Sequence, residues 1–300
     1  MKGIILAGGS GTRMYPMTKS VSKQMLPVYD KPMIYYPLTV LMLFDIKDIL
    51  IISTPEDTPV ITKLLGSGAE WGLNLQYKVQ PSPDGLAQAF TLGKEFIGGE
   101  PVIMILGDNL LYTSSFKDIV AETKANAAKN LATIFGYRVP DPERFGVIEF
   151  DRDKNVLSVE EKPKQPKSDY AAIGLYCYPG DVSEKAAQVK PSARGELEIT
   201  DLSDAYLKEG RLKAISLGRG TTWLDAGTPD SLMDASLFVQ ITERRQSIKI
   251  ACPEEVALRK GLITTAAVNK KIDSLKKGAY AEYLKRVVKE VSECNSLKPQ

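Results

Sequence analysis

Histidine is absent from all 300 residues. Ser-His-Asp and Cys-His catalysis, imidazole acid–base chemistry and histidine-held zinc are thereby excluded together. Any metal here is expected to be a hard cation, held by carboxylates and ligand oxygens. Cysteine is scarce: Cys177, Cys252 and Cys294 are odd in number, far apart and without a CxxC pair, so neither a disulfide framework nor a zinc site is suggested. Excess charge is missing as well. With 39 basic residues against 37 acidic ones, the net charge of +2 gives no field to gather nucleic acid or a membrane surface. No apolar run is long enough to span a bilayer, and the first residues enter a strand-like run without the parts of a secretion signal. The expectation is a cytoplasmic protein that acts on a small ligand, with neither nucleic acid nor membrane as partner.

What is present is a rhythm. The runs GIILAG (3–8), DILIIST (48–54), LQYKVQ (75–80) and PVIMILGD (101–108) are short and aliphatic and read as buried strands. Helix-length stretches lie between them, at 32–45, 58–72 and 86–98. Alternation of this kind predicts an α/β fold, Rossmann-like, with a mostly parallel sheet flanked by helices. Ligands of such sheets sit beyond the carboxyl ends of the strands, which places Gly8, Gly9, Gly11 and Asp108 at one rim. From residue 131 the texture turns β-rich in LATIFGYRV, FGVIEFD and VLSVEEKP, predicting an inserted mixed-sheet part. A helix is predicted over 196–210 and a strand over 212–218. The chain after Asp225 reads as mainly helical, and the last nine residues, 292–300, are expected to fray.

Glycines directly after a first strand let main-chain N–H groups approach an anion, and phosphate is the obvious guest. Two familiar phosphate loops fail the test, since GxxxxGK[ST] is absent and Gly9-Ser10-Gly11 is followed by Thr12, Arg13 and Met14 rather than by GxGxxG spacing.

The stretch reads Gly8, Gly9, Gly11, Thr12, Arg13, Pro16, Thr18, Lys23, Leu26, Pro27, Val28. It resembles the GGxGTRxxPxTxxxxKxxLPV signature of the sugar-phosphate nucleotidylyltransferases. Further strings, WGLNLQYKVQPSPDGLAQAF, LGDN, DPERFG, EEKP, KPSARGELEITD and WLDAGT, are similar to the branch of that family that makes dTDP-glucose, in order from residue 2 to about 260. The resemblance implies a magnesium-dependent condensation of dTTP with α-D-glucose 1-phosphate to dTDP-glucose and pyrophosphate, an early step toward dTDP-rhamnose and other deoxysugars. The attacking phosphate oxygen, with a second pKa of about 6, needs no general base. In-line displacement needs positioning and neutralised charge, which fits a chain without histidine. A UTP-using or other nucleotidylyltransferase of the same architecture, and a non-catalytic nucleotide-sugar sensor, are the alternatives.

Carried over position by position, the resemblance implies that Arg13 and the main chain of residues 8–12 hold the triphosphate and the departing pyrophosphate, with Lys23 facing the same phosphates. Asp108 and Asp225 would bind Mg²⁺. Leu6, Gly8, Gly9, Gly11, Thr12, Gln24, Gln80, Pro83 and Gly85 would complete the nucleotide site. The Gln80 amide would choose the base, because it can accept from thymine N3–H and donate to a ring carbonyl, and Gly85 would let the base lie against the backbone. Lys162 would neutralise the sugar phosphate and Glu161 accept from hexose hydroxyls, with Leu86, Asn109, Phe145, Gly146 and Ala172 lining the sugar side. The implied division is a nucleotidylyltransferase domain over 1–240, its nucleotide part at 1–130 and its sugar-phosphate part at 131–230, followed by a packed helical appendage at 241–300.

The chain also departs from that pattern. Thr113 and Ser114 stand where the family usually has Gly-His, Phe145 where it has tyrosine, and residues 169–173 carry Asp-Tyr-Ala-Ala-Ile in place of Asn-Tyr-Ala-Val-Thr. The first change falls in a second nucleotide site near a subunit interface of the family's homotetramers, used for feedback by dTDP-rhamnose. Arg219, Glu255 and Arg259 still match that site.

Overall fold

The structure, a computed structural model, describes residues 1–9, 11–275 and 277–296. The chain begins with β1 (Lys2–Ala7) and a small ribbon of β2 (Pro27–Val28) and β3 (Lys31–Pro32). It then alternates: helix Tyr35–Leu43, β4 (Asp48–Ser53), helix Thr58–Leu65, β5 (Asn74–Val79), short helices Gln88–Leu92 and Lys94–Ile97, β6 (Val102–Leu106). After two residues β7 (Asn109–Tyr112) follows, then helix Phe116–Ala128 and β8 (Ala132–Arg138), β9 (Gly146–Phe150), β10 (Val156–Glu161) and β11 (Tyr170–Tyr178). Helices Val182–Ala186 and Ile199–Lys208, β12 (Leu212–Ser216) and β13 (Thr222–Asp225) lead to the closing helices Pro229–Gln246, Pro253–Arg259, Thr265–Ser274 and Ala279–Ser296.

One nine-stranded sheet organises the chain. β5, β4, β1 and β6 lie parallel, with Ile4 beside both Leu50 and Met104. β11 joins antiparallel to β6 and takes β8 and β9, also antiparallel, on opposite edges, Ala171 lying beside both Tyr137 and Val147, so the β-rich half extends the same sheet. β10 pairs with β9 and β12 runs parallel to β8. Successive residues of these strands go to opposite faces, as the pleat requires. Ile5, Ile49, Ile51, Ile103 and Ile105 pack with Leu38, Leu41 and Trp71 on one face, while Ile4, Leu6, Leu50, Ile52 and Met104 pack with Phe90 and Tyr178 on the other. Both faces are covered, which is why these strands read as unbroken aliphatic runs. The last helices bury a core of their own from Cys252, Leu258, Val268, Ile272, Leu284 and Val287. Among the described residues no helix is long and apolar enough to cross a membrane.

The helix expected over 58–72 stops at Leu65, because Gly66 takes a φ of 57°, and a short turn at Ala69–Trp71 follows. The stretch 86–98 is broken at Gly93 into two short helices. Of 196–210 only Ile199–Lys208 is helical. Fraying from Ser292 is not found, since the final helix runs through Ser296, while residues 297–300 lie outside the described residues.

Candidate active site

An open cleft of about 530 Å³ lies at the carboxyl end of β1 and β6. The structure gathers there Leu6, Gly8, Gly9, Gly11, Thr12, Arg13, Lys23, Gln24, Gln80, Pro83, Gly85, Asp108 and Asp225. Leu86, Asn109, Phe145, Gly146, Glu161, Lys162 and Ala172 line the same cleft. Ser10, inside the glycine loop, lies outside the described residues. The loop leaves β1 where the parallel sheet runs out, while Gln80 leaves β5, its N–H donating to the Ser53 carbonyl at 2.7 Å. A Cβ at Gly8 would stand 2.0 Å from Gln80 Oε1, so glycine is what lets the loop and the Gln80 amide share this corner. Gly85 has a φ of 117°, and a Cβ there would meet the Leu197 main chain at 2.4 Å.

Asp108 and Asp225 come from distant parts of the sequence and meet through a ribbon. β7 pairs antiparallel with β13 so that Asn109 stands opposite Asp225, and the Ala226 N–H donates to the Asp108 carbonyl at 3.0 Å. Asn109 pins the ribbon to the sheet: its Oδ1 accepts from Trp223 Nε1 at 2.6 Å and from the Gly174 N–H at 3.1 Å, and its Nδ2 donates to Asp108 Oδ1 at 2.8 Å. The other Asp108 oxygen accepts from Lys23. Burial works to raise the Asp108 carboxyl, but the Lys23 ammonium and the Asn109 hydrogen bond outweigh it and hold it below its usual range. Asp225 is pushed up to about 6, first by burial and then by the charge of Asp108, against the pull of Lys23, Arg13 and Arg144. Arg13 and Asp225 lie around Gly227, where a Cβ would meet Asp225 Oδ1 at 2.9 Å and the Arg13 guanidinium at 3.2 Å.

Among the described residues the Asp225 carboxylate has neither a hydrogen bond nor an ion pair, and no group of three or more acidic or thiol side chains stands ready to enclose a metal. Two converging hard oxygen donors, one without a protein partner, fit a hard cation that shares its coordination with phosphate oxygens.

On the other side of the cleft, Phe145 packs edge-on against Trp223, with ring centroids 5.3 Å apart, and Gly146 pairs with Ala172 between β9 and β11. Glu161 ends β10; its Oε2 accepts from Thr200 Oγ1 and its Oε1 from Arg194, both at 3.3 Å. Burial, and next the neighbouring Glu198, raise the Glu161 carboxyl above its ordinary range. Lys162 follows in a left-handed conformation with φ of 43°, its N–H donating to the Phe145 carbonyl at 3.0 Å. Its side chain is exposed, 3.9 Å from Glu161.

Sequence reasoning left Arg144, Arg194, Glu196, Glu198, Thr200 and Trp223 without a role, and all six line the cleft. Arg194 is the centre of that group, since it pairs with Glu161 and Glu198 at 3.3 Å and with Glu196 at 2.9 Å. The string KPSARGELEITD that carries Arg194, Glu196, Glu198 and Thr200 stood out as a motif, but its loop has no periodicity to say which way a side chain points.

The five residues of the expected second site are placed in two groups. Thr113 Oγ1 lies 2.9 Å from Thr221 Oγ1, and Ser114 borders Gly220, next to Arg219. Arg259 donates to Glu255 at 2.8 Å and to Glu290 at 2.7 Å, and Tyr283 donates to Glu255. Among the described residues no hydrogen bond or ion pair joins the two groups.

A family model described as nucleotidyl transferase matches residues 2–241. A glucose-1-phosphate thymidylyltransferase of Neisseria gonorrhoeae is 57% identical over 288 residues, covering 96% of this chain and 99% of the relative. A protein of Mycobacterium tuberculosis with the same name is 51% identical over 284 residues, 95% of this chain and 98% of that one. Among solved structures, a Bacillus anthracis protein described as a glucose-1-phosphate thymidylyltransferase, in complex with sucrose, matches with a TM-score of 0.73 at 43% identity, covering 79% of this chain and 94% of the other. A UDP-glucose pyrophosphorylase with UDP-glucose gives 0.70 at 25% identity, covering 80% and 98%.

Proposed function

The chain belongs to the nucleotidyl transferase family and has glucose-1-phosphate thymidylyltransferase activity, and from this premise we propose how its residues perform it. Arg13 and the main chain of residues 8–12 hold the triphosphate of dTTP, with Lys23 on the same phosphates. Leu6, Gln24, Gln80, Pro83 and Gly85 frame the thymine and its sugar. Glu161 accepts from hexose hydroxyls, and Lys162, joined by Arg194, takes the phosphate of glucose 1-phosphate. Exposed cations suit that task, since they meet a dianion that arrives from water.

A phosphate oxygen of glucose 1-phosphate then attacks the α-phosphorus of dTTP. The new P–O bond forms as the bond to the bridging β-phosphate oxygen breaks, and its electrons leave with pyrophosphate; no proton moves. Arg13 and Lys23 neutralise the charge that collects on the leaving group. When bound, Mg²⁺ supplies further positive charge to the crowded phosphate oxygens, and Asp108 and Asp225 are the residues that would hold it here. The observation that carries the reading is the convergence of those two acids, through the β7–β13 ribbon, in the cleft that also holds Arg13 and Lys162.

We also assign residues 1–240 to the transferase domain, 1–130 to its nucleotide part and 131–230 to its sugar-phosphate part, with 241–300 as a packed helical appendage. A cytoplasmic homotetramer with a dTDP-rhamnose feedback site at Thr113, Ser114, Arg219, Glu255 and Arg259 completes the proposal. Pyrophosphate release from a panel of nucleoside triphosphates and sugar 1-phosphates, with and without Mg²⁺, tests it. Magnesium-dependent turnover with dTTP and glucose 1-phosphate is expected, with slower use of UTP, since a methyl group discriminates by only about 1–3 kcal/mol. Nucleotide binding without any pyrophosphate release would refute it.

A further inference from the structure

A chain of three side chains runs from an exposed loop into the cleft. Asp84 Oδ2 accepts from Gln88 Nε2 at 2.7 Å, and Gln88 Oε1 accepts from Gln80 Nε2 at 2.6 Å. Ser82 donates to the second Asp84 oxygen at 2.6 Å. Polarity along this chain is set by its outer member. A carboxylate only accepts, so Gln88 must turn its NH₂ toward Asp84, which leaves its oxygen for Gln80. Gln80 must therefore offer nitrogen, and its own oxygen faces the other way, into the corner at Gly8. Gln80 is only 4% exposed, yet among the described residues nothing donates to that oxygen.

We infer that Asp84, acting through Gln88, is a positioning residue for base choice: it keeps Gln80 Oε1 toward the cleft, so the site takes a pyrimidine whose N3 carries hydrogen and refuses one whose N3 is a lone pair. The inference rests on the nucleotidylyl-transfer reading above and adds to it a reason for rejecting cytosine. Thymine and uracil donate N3–H to the waiting oxygen. Cytosine would set two acceptors against each other where the base covers this corner, and polar groups left unpaired are what polar sites discriminate by.

The chain can be turned over by one atom. In Asp84→Asn an amide can donate to Gln88 Oε1, Gln88 can then donate to Gln80 Oε1, and the Gln80 NH₂ can face the cleft, where it suits cytosine. In Asp84→Asn/Gln88→Glu a carboxylate at position 88 accepts from both sides, and the original polarity returns. The test is kcat/KM for dTTP and for dCTP, by pyrophosphate release with glucose 1-phosphate and Mg²⁺, alongside thermal unfolding of each variant. The ratio of dTTP to dCTP is expected to fall by about tenfold or more in Asp84→Asn and to recover in the double variant. If Asp84→Asn does not fold, Gln88→Glu alone is read instead and is expected to keep the wild-type ratio. A loss shared equally by both nucleotides, a double variant that does not recover, or a Gln88→Glu variant that loses the preference overturns the inference while wild-type turnover of dTTP leaves the transfer reading standing. Wild-type protein that releases pyrophosphate from neither nucleotide overturns both.

Discussion

Asn109 and Asp225 face each other across the β7–β13 ribbon, and this pairing brings the Asp225 carboxylate under the charge of Asp108. Like charges held together in a partly buried place cost stability, and the cost is useful only if something of opposite sign arrives. Replacing either acid is therefore expected to separate function from stability. Asp225→Asn and Asp108→Asn should each lower kcat by about a hundredfold or more, on the scale of losing one preorganised electrostatic contact. Steady-state pyrophosphate release checks the first effect. Asp225→Asn should at the same time raise the unfolding free energy at pH 8 by on the order of 1–3 kcal/mol, read from denaturant unfolding without Mg²⁺.

The same pair sets a pH dependence. A carboxyl raised from 3.8 to about 6 in the folded state keeps its proton longer there than in the unfolded chain. Stability from this group is then complete below about pH 4, falls as the pH rises through 4 to 6, and is level above. The stability gap between Asp225→Asn and wild type should open over that window and stay constant beyond it. Because a cation competes with the proton for this carboxylate, the Mg²⁺ concentration for half-maximal rate should climb as the pH drops below about 6.

Arg194 gives a prediction on the sugar side. It is exposed, and it balances Glu161, Glu196 and Glu198. Arg194→Gln should raise KM for glucose 1-phosphate by about tenfold, the scale of one charge-assisted contact, while KM for dTTP changes much less. Equal changes in both constants would remove Arg194 from the sugar-phosphate role.

Gly8→Ala tests the corner shared by loop and base. A methyl group placed 2.0 Å from Gln80 Oε1 must push the amide aside or shift the loop. KM for dTTP should rise by about tenfold or more, whereas the midpoint of thermal unfolding should move little, because the cleft around Gly8 is open and can absorb the displacement.

The central β strands and the glycine-rich rim of the cleft were legible because their signals are local. GIILAG and PVIMILGD announce buried strands, and Gly8, Gly9, Gly11, Thr12, Arg13 and Lys23 fall in one short stretch of sequence and line one cleft. Asp225 was legible through the WLDAGT string and not through any spacing, since its partner is settled by the β7–β13 pairing, far along the chain. Arg194 and Glu198 escaped because an irregular loop carries them, and charge in such a loop has no preferred direction until the fold supplies one. The breaks at Gly66 and Gly93 were missed for a related reason: the helical pattern continues across both, while the backbone does not. Gln80 shows a subtler limit. Its ability to accept and donate is written in its chemistry, but which end faces the cleft depends on Gln88 and Asp84.

The ribbon formed by β7 and β13 stands apart from the large sheet. Its two strands are far apart in the sequence, and Thr222–Asp225 is synthesised long after the parallel strands and the glycine loop. Until that late segment is in place the chain carries Asp108 without Asp225, and the cleft has one of its two acids.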